Sequence, residues 1–206
     1  MIVIVNYGLG NLGSIKNMLR KLGYASEISS DPLLIRNATK LILPGVGAFD
    51  TGMANLSKLG LIEILNHKVI TEKTPVLGIC LGAQLMTKKS EEGVLEGLKW
   101  FDAELLSFRT RLPKDKTLPV PNMGWIDVKA KKASKLLEGL PSEPRFYFVH
   151  TFFIQSNNLN DVLLESHYGF DYVSALEHNN IVGVQFHPEK SHKFGFKLLK
   201  NFVEKF

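Results

Sequence analysis

The chain has 206 residues, 45% hydrophobic and 22% charged, with a formal net charge of +5. That is an ordinary globular composition, long enough to bury a large core as one domain over residues 1–206. No apolar stretch approaches bilayer-spanning length, and the N-terminus enters a β-rich run without a basic leader, so a cytoplasmic protein away from membranes is expected. The lone cysteine, Cys80, excludes an internal disulfide and a cysteine-based zinc site; it is either a buried hydrophobe or a reactive thiol.

In chain order, the apolar residues 2–6 predict a strand and residues 12–22 a helix. Strands follow over 25–28 and 40–43, a helix over 60–70, a strand over 76–79, a turn over 80–82 and a helix from about Ala83. The second half carries short strands near 124–128, 146–149, 162–166, 173–176 and 181–186, then an amphipathic helix over 193–205. Strands alternating with helices early and strands crowding late predict an α/β sandwich, with helices flanking a mixed, mostly parallel sheet. The Pro-rich residues 112–121 read as a surface loop.

Between the first strand and helix lies NYGLGNLGS, where Gly8, Gly10 and Gly13 fit G-x-G-x-x-G, and Glu27 falls near the ribose-binding acid of a dinucleotide fingerprint. A second βαβαβ half is missing, so no cofactor is expected, nor a metal. The positive charge concentrates in Arg109, Arg111, Lys114, Lys116, Lys129, Lys131, Lys132 and Lys135, against Asp115 and Asp127. Without interleaved aromatics for base stacking this reads as a solvated face and not a nucleic-acid site; a docking surface for an acidic protein stays open.

VLGICLGAQ contains G-x-C-x-G around Cys80, the thiol form of a nucleophile elbow. Flanking glycines permit a sharp strand-to-helix turn, and a helix N-terminus favours the thiolate. A small cysteine packed between glycines is the alternative. In GVQFHPEKS, Pro188 biases His187 towards extended backbone. His187 and Glu189 then share a side if that geometry continues, giving a base and its orienting carboxylate. A solvated His-Pro turn is the alternative there.

GICLGAQ, PGVGAFD and QFHPEKS together resemble the class I (triad) glutamine amidotransferases over almost the whole chain. NYGLGNLGS, PGVG, PNMGW and FYFVHTFF are similar to the subgroup of glutaminase subunits that serve imidazole glycerol phosphate synthase. The resemblance implies that Cys80 attacks the side-chain amide of glutamine, with His187 as base and acid and Glu189 as its partner. It implies oxyanion donors at Leu81 and at Val46 or Gly47, and glutamine contacts at Gly45, Gly47, Gln84 and Thr151. The ammonia would pass, in a heterodimer, to a (β/α)₈-barrel cyclase subunit docked near Pro121, Met123, Trp125 and Lys190. Ile126 and Ala83 depart from the subgroup's usual Asn and Met and remove no catalytic group. Paralogues in the subgroup that feed sugar-modifying synthases share these motifs, and partner-free cysteine hydrolases share the fold.

Overall fold

The computed structural model describes residues 1–113 and 118–206, so Lys114, Asp115 and Lys116 of the basic run lie outside the described residues. The first half runs β1 (Ile2–Val5), α1 (Leu12–Lys21), β2 (Ser26–Ser29), α2 (Pro32–Arg36), β3 (Lys40–Gly45), α3 (Phe49–Lys58), α4 (Leu61–Asn66), β4 (Val76–Cys80) and α5 (Leu81–Leu85). The second runs β5 (Ala103–Ser107), α6 (Phe108–Arg111), β6 (Asn122–Asp127), β7 (Lys129–Ala130), β8 (Arg145–His150), β9 (Phe152–Ser156), β10 (Val162–His167), β11 (Asp171–His178), β12 (Ile181–Val184) and α7 (His192–Lys205).

Among the described residues, ten strands form one sheet in the order β2-β1-β3-β4-β12-β11-β10-β7, with β9 paired to β11 and β5 to β9. From β2 to β12 the pairing is parallel, and beyond β12 it is antiparallel. The mixed sheet expected from the sequence is therefore present. β6 and β8 form a separate antiparallel pair.

β1, β4 and β12 are buried on both faces, as parallel strands covered by helices must be. Their alternation sorts the core into two layers. Val3, Val5, Leu41 and Leu43 meet Phe49, Leu56 and Leu85 on one side. Ile2, Ile4, Ile42 and Ile79 meet Ile15, Leu19, Leu198 and Phe202 on the other.

Several elements depart from the sequence reading. Helix α5 starts at Leu81, with no intervening turn to residue 82, because Cys80 reverses the chain in one residue at φ 52° and ψ −111°. The helix expected over 60–70 is α4 followed by a π-helical turn, His67–Thr71. Strand β12 stops at Val184, short of 186. FYFVHTFF splits at Thr151, with β8 joining the small sheet and β9 the large one. Helices α2, α3 and α6 and strands β5, β7 and β9 were not anticipated. Helix α2 nonetheless carries a readable start, since Asp31 accepts the Leu33 N–H at 2.8 Å ahead of Pro32.

Two glycines differ sharply in what a side chain would meet. At Gly195 in α7 a Cβ would lie 1.8 Å from the Pro188 carbonyl oxygen, so α7 rests directly on the turn that carries Glu189. At Gly13, in the first turn of α1, nothing lies within 4 Å. Read from urea unfolding curves, Gly195→Ala should lower the folding stability by about 1–3 kcal/mol. Gly13→Ala should hold or raise it by about 0.5–1 kcal/mol, as alanine in an exposed helical turn does.

Candidate active site

Parallel strands β3, β4 and β12 end side by side, with Gly45 opposite Cys80 and Val184 opposite Ile79. Their carboxyl ends open onto a shared crevice, where such sheets bind ligands. Cys80 is the last residue of β4, and its positive φ, unusual for a residue with a Cβ, costs of order 1–3 kcal/mol. Helix α5 then crosses its supporting strands so closely that a Cβ on Gly82 would stand 1.7 Å from the Leu43 carbonyl oxygen. On Gly78 it would stand 2.6 Å from the Met86 methyl carbon. The G-x-C-x-G spacing follows from that close approach.

Beyond β12 the chain continues through Gln185, Phe186 and His187. Phe186 stacks on Phe146 with ring centroids 4.0 Å apart, anchoring this segment in the core. His187 Nδ1 lies 2.8 Å from Glu189 Oε1, and both side chains are only 1% exposed. The pair does not meet along an extended run as expected. His187 is extended (φ −104°, ψ 95°), but Pro188–Lys190 forms a 3₁₀ turn that brings the carboxylate back beneath the ring. Ser191 locks this turn, its hydroxyl donating to the His187 carbonyl at 2.6 Å and accepting the Tyr147 N–H at 3.0 Å.

The other ring nitrogen, Nε2, is buried and has no well-aligned hydrogen-bond partner among the described residues. Burial alone would disfavour the charged imidazole, but Cys80 and Glu189 outweigh it and raise the His187 pKa to about 10. His150 lies close by with the opposite tendency. Burial lowers its pKa to about 4, so it is neutral at pH 7. Its Nδ1–H donates to the Phe152 carbonyl at 2.8 Å, which leaves Nε2 to accept from the Asn122 amide at 3.2 Å.

Cys80, Leu81, Val46, Gly47, Gln84, Thr151, Pro121 and His187 all meet around one cavity of about 230 Å³. Glu92 shares its wall, with one carboxylate oxygen accepting the Phe49 N–H at 2.8 Å. Gly45 stands behind the wall, where a Cβ would be 2.3 Å from the Tyr7 hydroxyl and 2.8 Å from Leu81 Cβ. Met123 and Trp125 point outward from β6, 65% and 39% exposed. Trp125 stacks on His192 at 5.6 Å, and the Lys190 ammonium lies 5.5 Å from the Tyr147 ring. A larger hollow of about 550 Å³, bordered by Asp127, Lys129, Glu143 and His167, lies apart from Cys80.

The NYGLGNLGS turn presses on the PGVG segment. Gly10, at φ 111°, approaches so closely that a Cβ would lie 3.2 Å from the Gly45 nitrogen. The Tyr7 hydroxyl donates to the Pro44 carbonyl at 2.5 Å, and Leu9 flanks Gly47. Within the basic run, Arg111 pairs with Glu91, Lys131 with Glu165, and Lys132 donates to the carbonyls of Asn160 and Glu177.

Sequence reasoning passed over Tyr7, Glu92, Asn122, His150 and Gln185. Only Gln185 carried a usable signal, sitting two residues before His187 at the end of a strand.

A family model described as glutamine amidotransferase class-I matches residues 3–206. The imidazole glycerol phosphate synthase subunit HisH 2 of Methanococcus maripaludis is 51% identical over 204 residues, covering 99% of each chain. The HisH subunit of Bdellovibrio bacteriovorus is 46% identical, covering 99% of this chain and all of the relative. Among solved structures, a glutamine amidotransferase superposes with a TM-score of 0.74 at 18% identity, covering 99% of this chain and 98% of that one. PurLQS from Thermotoga maritima gives 0.69 at 18% identity, covering 98% and 96%. These structural likenesses are of fold, while the family match and the closer sequences span the full set of residues around Cys80. This chain belongs to the class I glutamine amidotransferases.

Proposed function

We propose that the chain is the glutaminase subunit of an imidazole glycerol phosphate synthase, releasing ammonia from glutamine for a separate cyclase subunit in histidine biosynthesis. The observation that carries the chemistry is the convergence of Cys80, on its strained elbow, with the buried His187–Glu189 pair on one cavity. The name HisH, carried by relatives at 40–51% identity over nearly the full length, supports the pathway.

His187 Nε2 takes the Cys80 thiol proton, and the sulfur attacks the side-chain carbonyl carbon of glutamine. The tetrahedral oxyanion receives the Leu81 N–H, at the start of α5, and a second donor from Val46 or Gly47. Collapse expels ammonia, which carries away the proton held on His187, and leaves a γ-glutamyl thioester. Water then loses a proton to His187 and attacks the thioester. Glutamate leaves, and the thiol is restored. Glu189 keeps Nδ1–H pointed at itself, so Nε2 always faces the sulfur. Glu92 and Gln84 offer polar contacts to the amino-acid end of the substrate, and Thr151 borders the same wall.

Ammonia released into water would be protonated and useless as a nucleophile, so transfer across a closed interface is favoured. The outward face of β6 and β8, with Met123, Trp125, Tyr147 and Lys190, is the docking surface for the cyclase, read as a (β/α)₈ barrel. Pro121 links that face to the cavity wall.

Cys80→Ala should abolish glutamine hydrolysis while leaving synthase turnover with ammonium salts intact; glutamate release by the variant would refute the nucleophile. The same variant removes the leading influence that raises His187, so the imidazole's titration midpoint should fall in an NMR titration. If the partner that co-purifies from the source cell, read by mass spectrometry, is a sugar-modifying synthase, the pathway assignment falls and the glutaminase stands.

Activity should also depend on the partner. Pro44 is tied by Tyr7, whereas Gly47 sits at φ 131° with no neighbour nearer than 3.7 Å to a Cβ, so the space for a peptide turn lies at Gly47. A hundredfold activation needs only about 2.7 kcal/mol of bias towards the orientation that offers the oxyanion an N–H. Steady-state glutamate release with and without the cyclase and its substrate analogue checks this. Equal rates for the lone chain and the complex would exclude gating.

A further inference from the structure

Gln185 is fully buried just beyond β12, two residues ahead of His187. Its side-chain nitrogen lies 3.8 Å from the Cys80 sulfur, and its side-chain oxygen accepts from Gln84 Nε2 at 3.0 Å. The orientation of both amides follows from the partner at the far end of the chain of bonds. Gln84 Nε2 also reaches the Phe152 carbonyl at 3.4 Å, and a carbonyl only accepts. Gln84 must therefore present its nitrogen on this side, the Gln185 atom that meets it must be oxygen, and the Gln185 N–H must face the sulfur. The Phe152 carbonyl is itself held by His150 Nδ1–H at 2.8 Å.

We propose that Gln185 is a catalytic residue, donating its amide N–H to the Cys80 sulfur, with Gln84 and the Phe152 carbonyl as the positioning groups that keep the donor aimed. This rests on Cys80 being the glutaminase nucleophile. The amide proton stays on Gln185 throughout, and the proton that moves is the thiol's, from sulfur to His187 Nε2. A hydrogen bond to sulfur is strong when the sulfur is negative and weak when it is a thiol or thioester. The donor therefore acts at two points: when the nucleophile is generated, and when the sulfur departs from the second tetrahedral intermediate. It sits on the sulfur, apart from the oxyanion donors, so its effect is separable from theirs. Gln185 and His187 reach the same atom from one strand end, one as a neutral donor and the other as the proton acceptor.

Cys80 is the only cysteine in the sequence, so alkylation by iodoacetamide reports on this sulfur alone and needs no glutamine turnover. The pH–rate profile of inactivation should be compared between the full-length chain and Gln185→Met, with folding checked by circular dichroism. We expect the profile to move to higher pH by about one unit, making alkylation at neutral pH about tenfold slower. Gln84→Met should move it less and in the same direction, and should add little once Gln185 is already Met. If Gln185→Met does not fold, the isosteric Gln185→Glu decides, because a carboxylate facing the sulfur should move the profile further the same way. A profile superimposable on the parent in the folded variant overturns the proposal, even if glutaminase activity is lost. An unmodified chain that never hydrolyses glutamine, with or without partner, would instead overturn the functional reading and leave the alkylation result standing.

Discussion

The site depends on one steric constraint, the near contact of α5 with the backbone of β3. With a Cβ on Gly82 only 1.7 Å from the Leu43 oxygen, the helix can lie where it does only if that position is bare. That placement brings the first turn of α5 down onto the strand ends, so the chain must reverse within a single residue. Cys80 takes the reversal at φ 52°, and the strain is held by the packing of Leu81 and Leu85 into the core. The outcome is a sulfur lifted off the sheet edge at a helix start, beside the PGVG segment and the end of β12.

A second layer of order comes from buried polar groups that must satisfy one another. His187 is held towards the charged form by Glu189 and Cys80, and His150 is held neutral by burial. Two imidazoles in one wall therefore differ in state: one is paired with a carboxylate and held towards its charged form, and the other is a neutral donor–acceptor link between Asn122 and the Phe152 carbonyl. Asn122 continues the link to the Tyr172 hydroxyl at 3.1 Å. These bonds fix side-chain orientations around the cavity, while the buried Asn122 side-chain oxygen has no partner among the described residues.

What was readable in the sequence follows from the range of the signals. Parallel strands such as residues 2–5 announce themselves because they are apolar throughout, and the elbow announces itself because its glycines are only four residues apart. The His-Pro-Glu spacing also led to the right pair, though through a 3₁₀ turn in place of the extended run. Tyr7, His150 and Gln185 act across 37, 2 and 105 residues of chain to Pro44, Phe152 and Cys80. Tyr7 was invisible because nothing local distinguishes it from an ordinary core polar residue, and Gln185 offered only its two-residue spacing from His187. In FYFVHTFF only the strand over 146–149 was legible, because aromatic alternation does not reveal that the chain changes sheets at Thr151 and continues as β9.

The Gly-rich turn shows how one pattern serves two ends. In a dinucleotide fold such glycines clear space for a pyrophosphate. Here the space beside Gly10 is filled by Gly45, and the hydroxyl of Tyr7 occupies the region a Gly45 side chain would need. The turn after β1 therefore supports the loop after β3, which in turn borders Cys80 at the end of β4. Three adjacent strand ends thus share one scaffold, in which Tyr7 ties Pro44 while the space beside Gly47 stays open. The same strand, β8, carries Val149 and His150 on the cavity wall and Tyr147 under Lys190 on the outer face. The outer face and the residues around Cys80 are thus joined through a single strand, with the Tyr147 carbonyl accepting the His187 N–H at 2.9 Å.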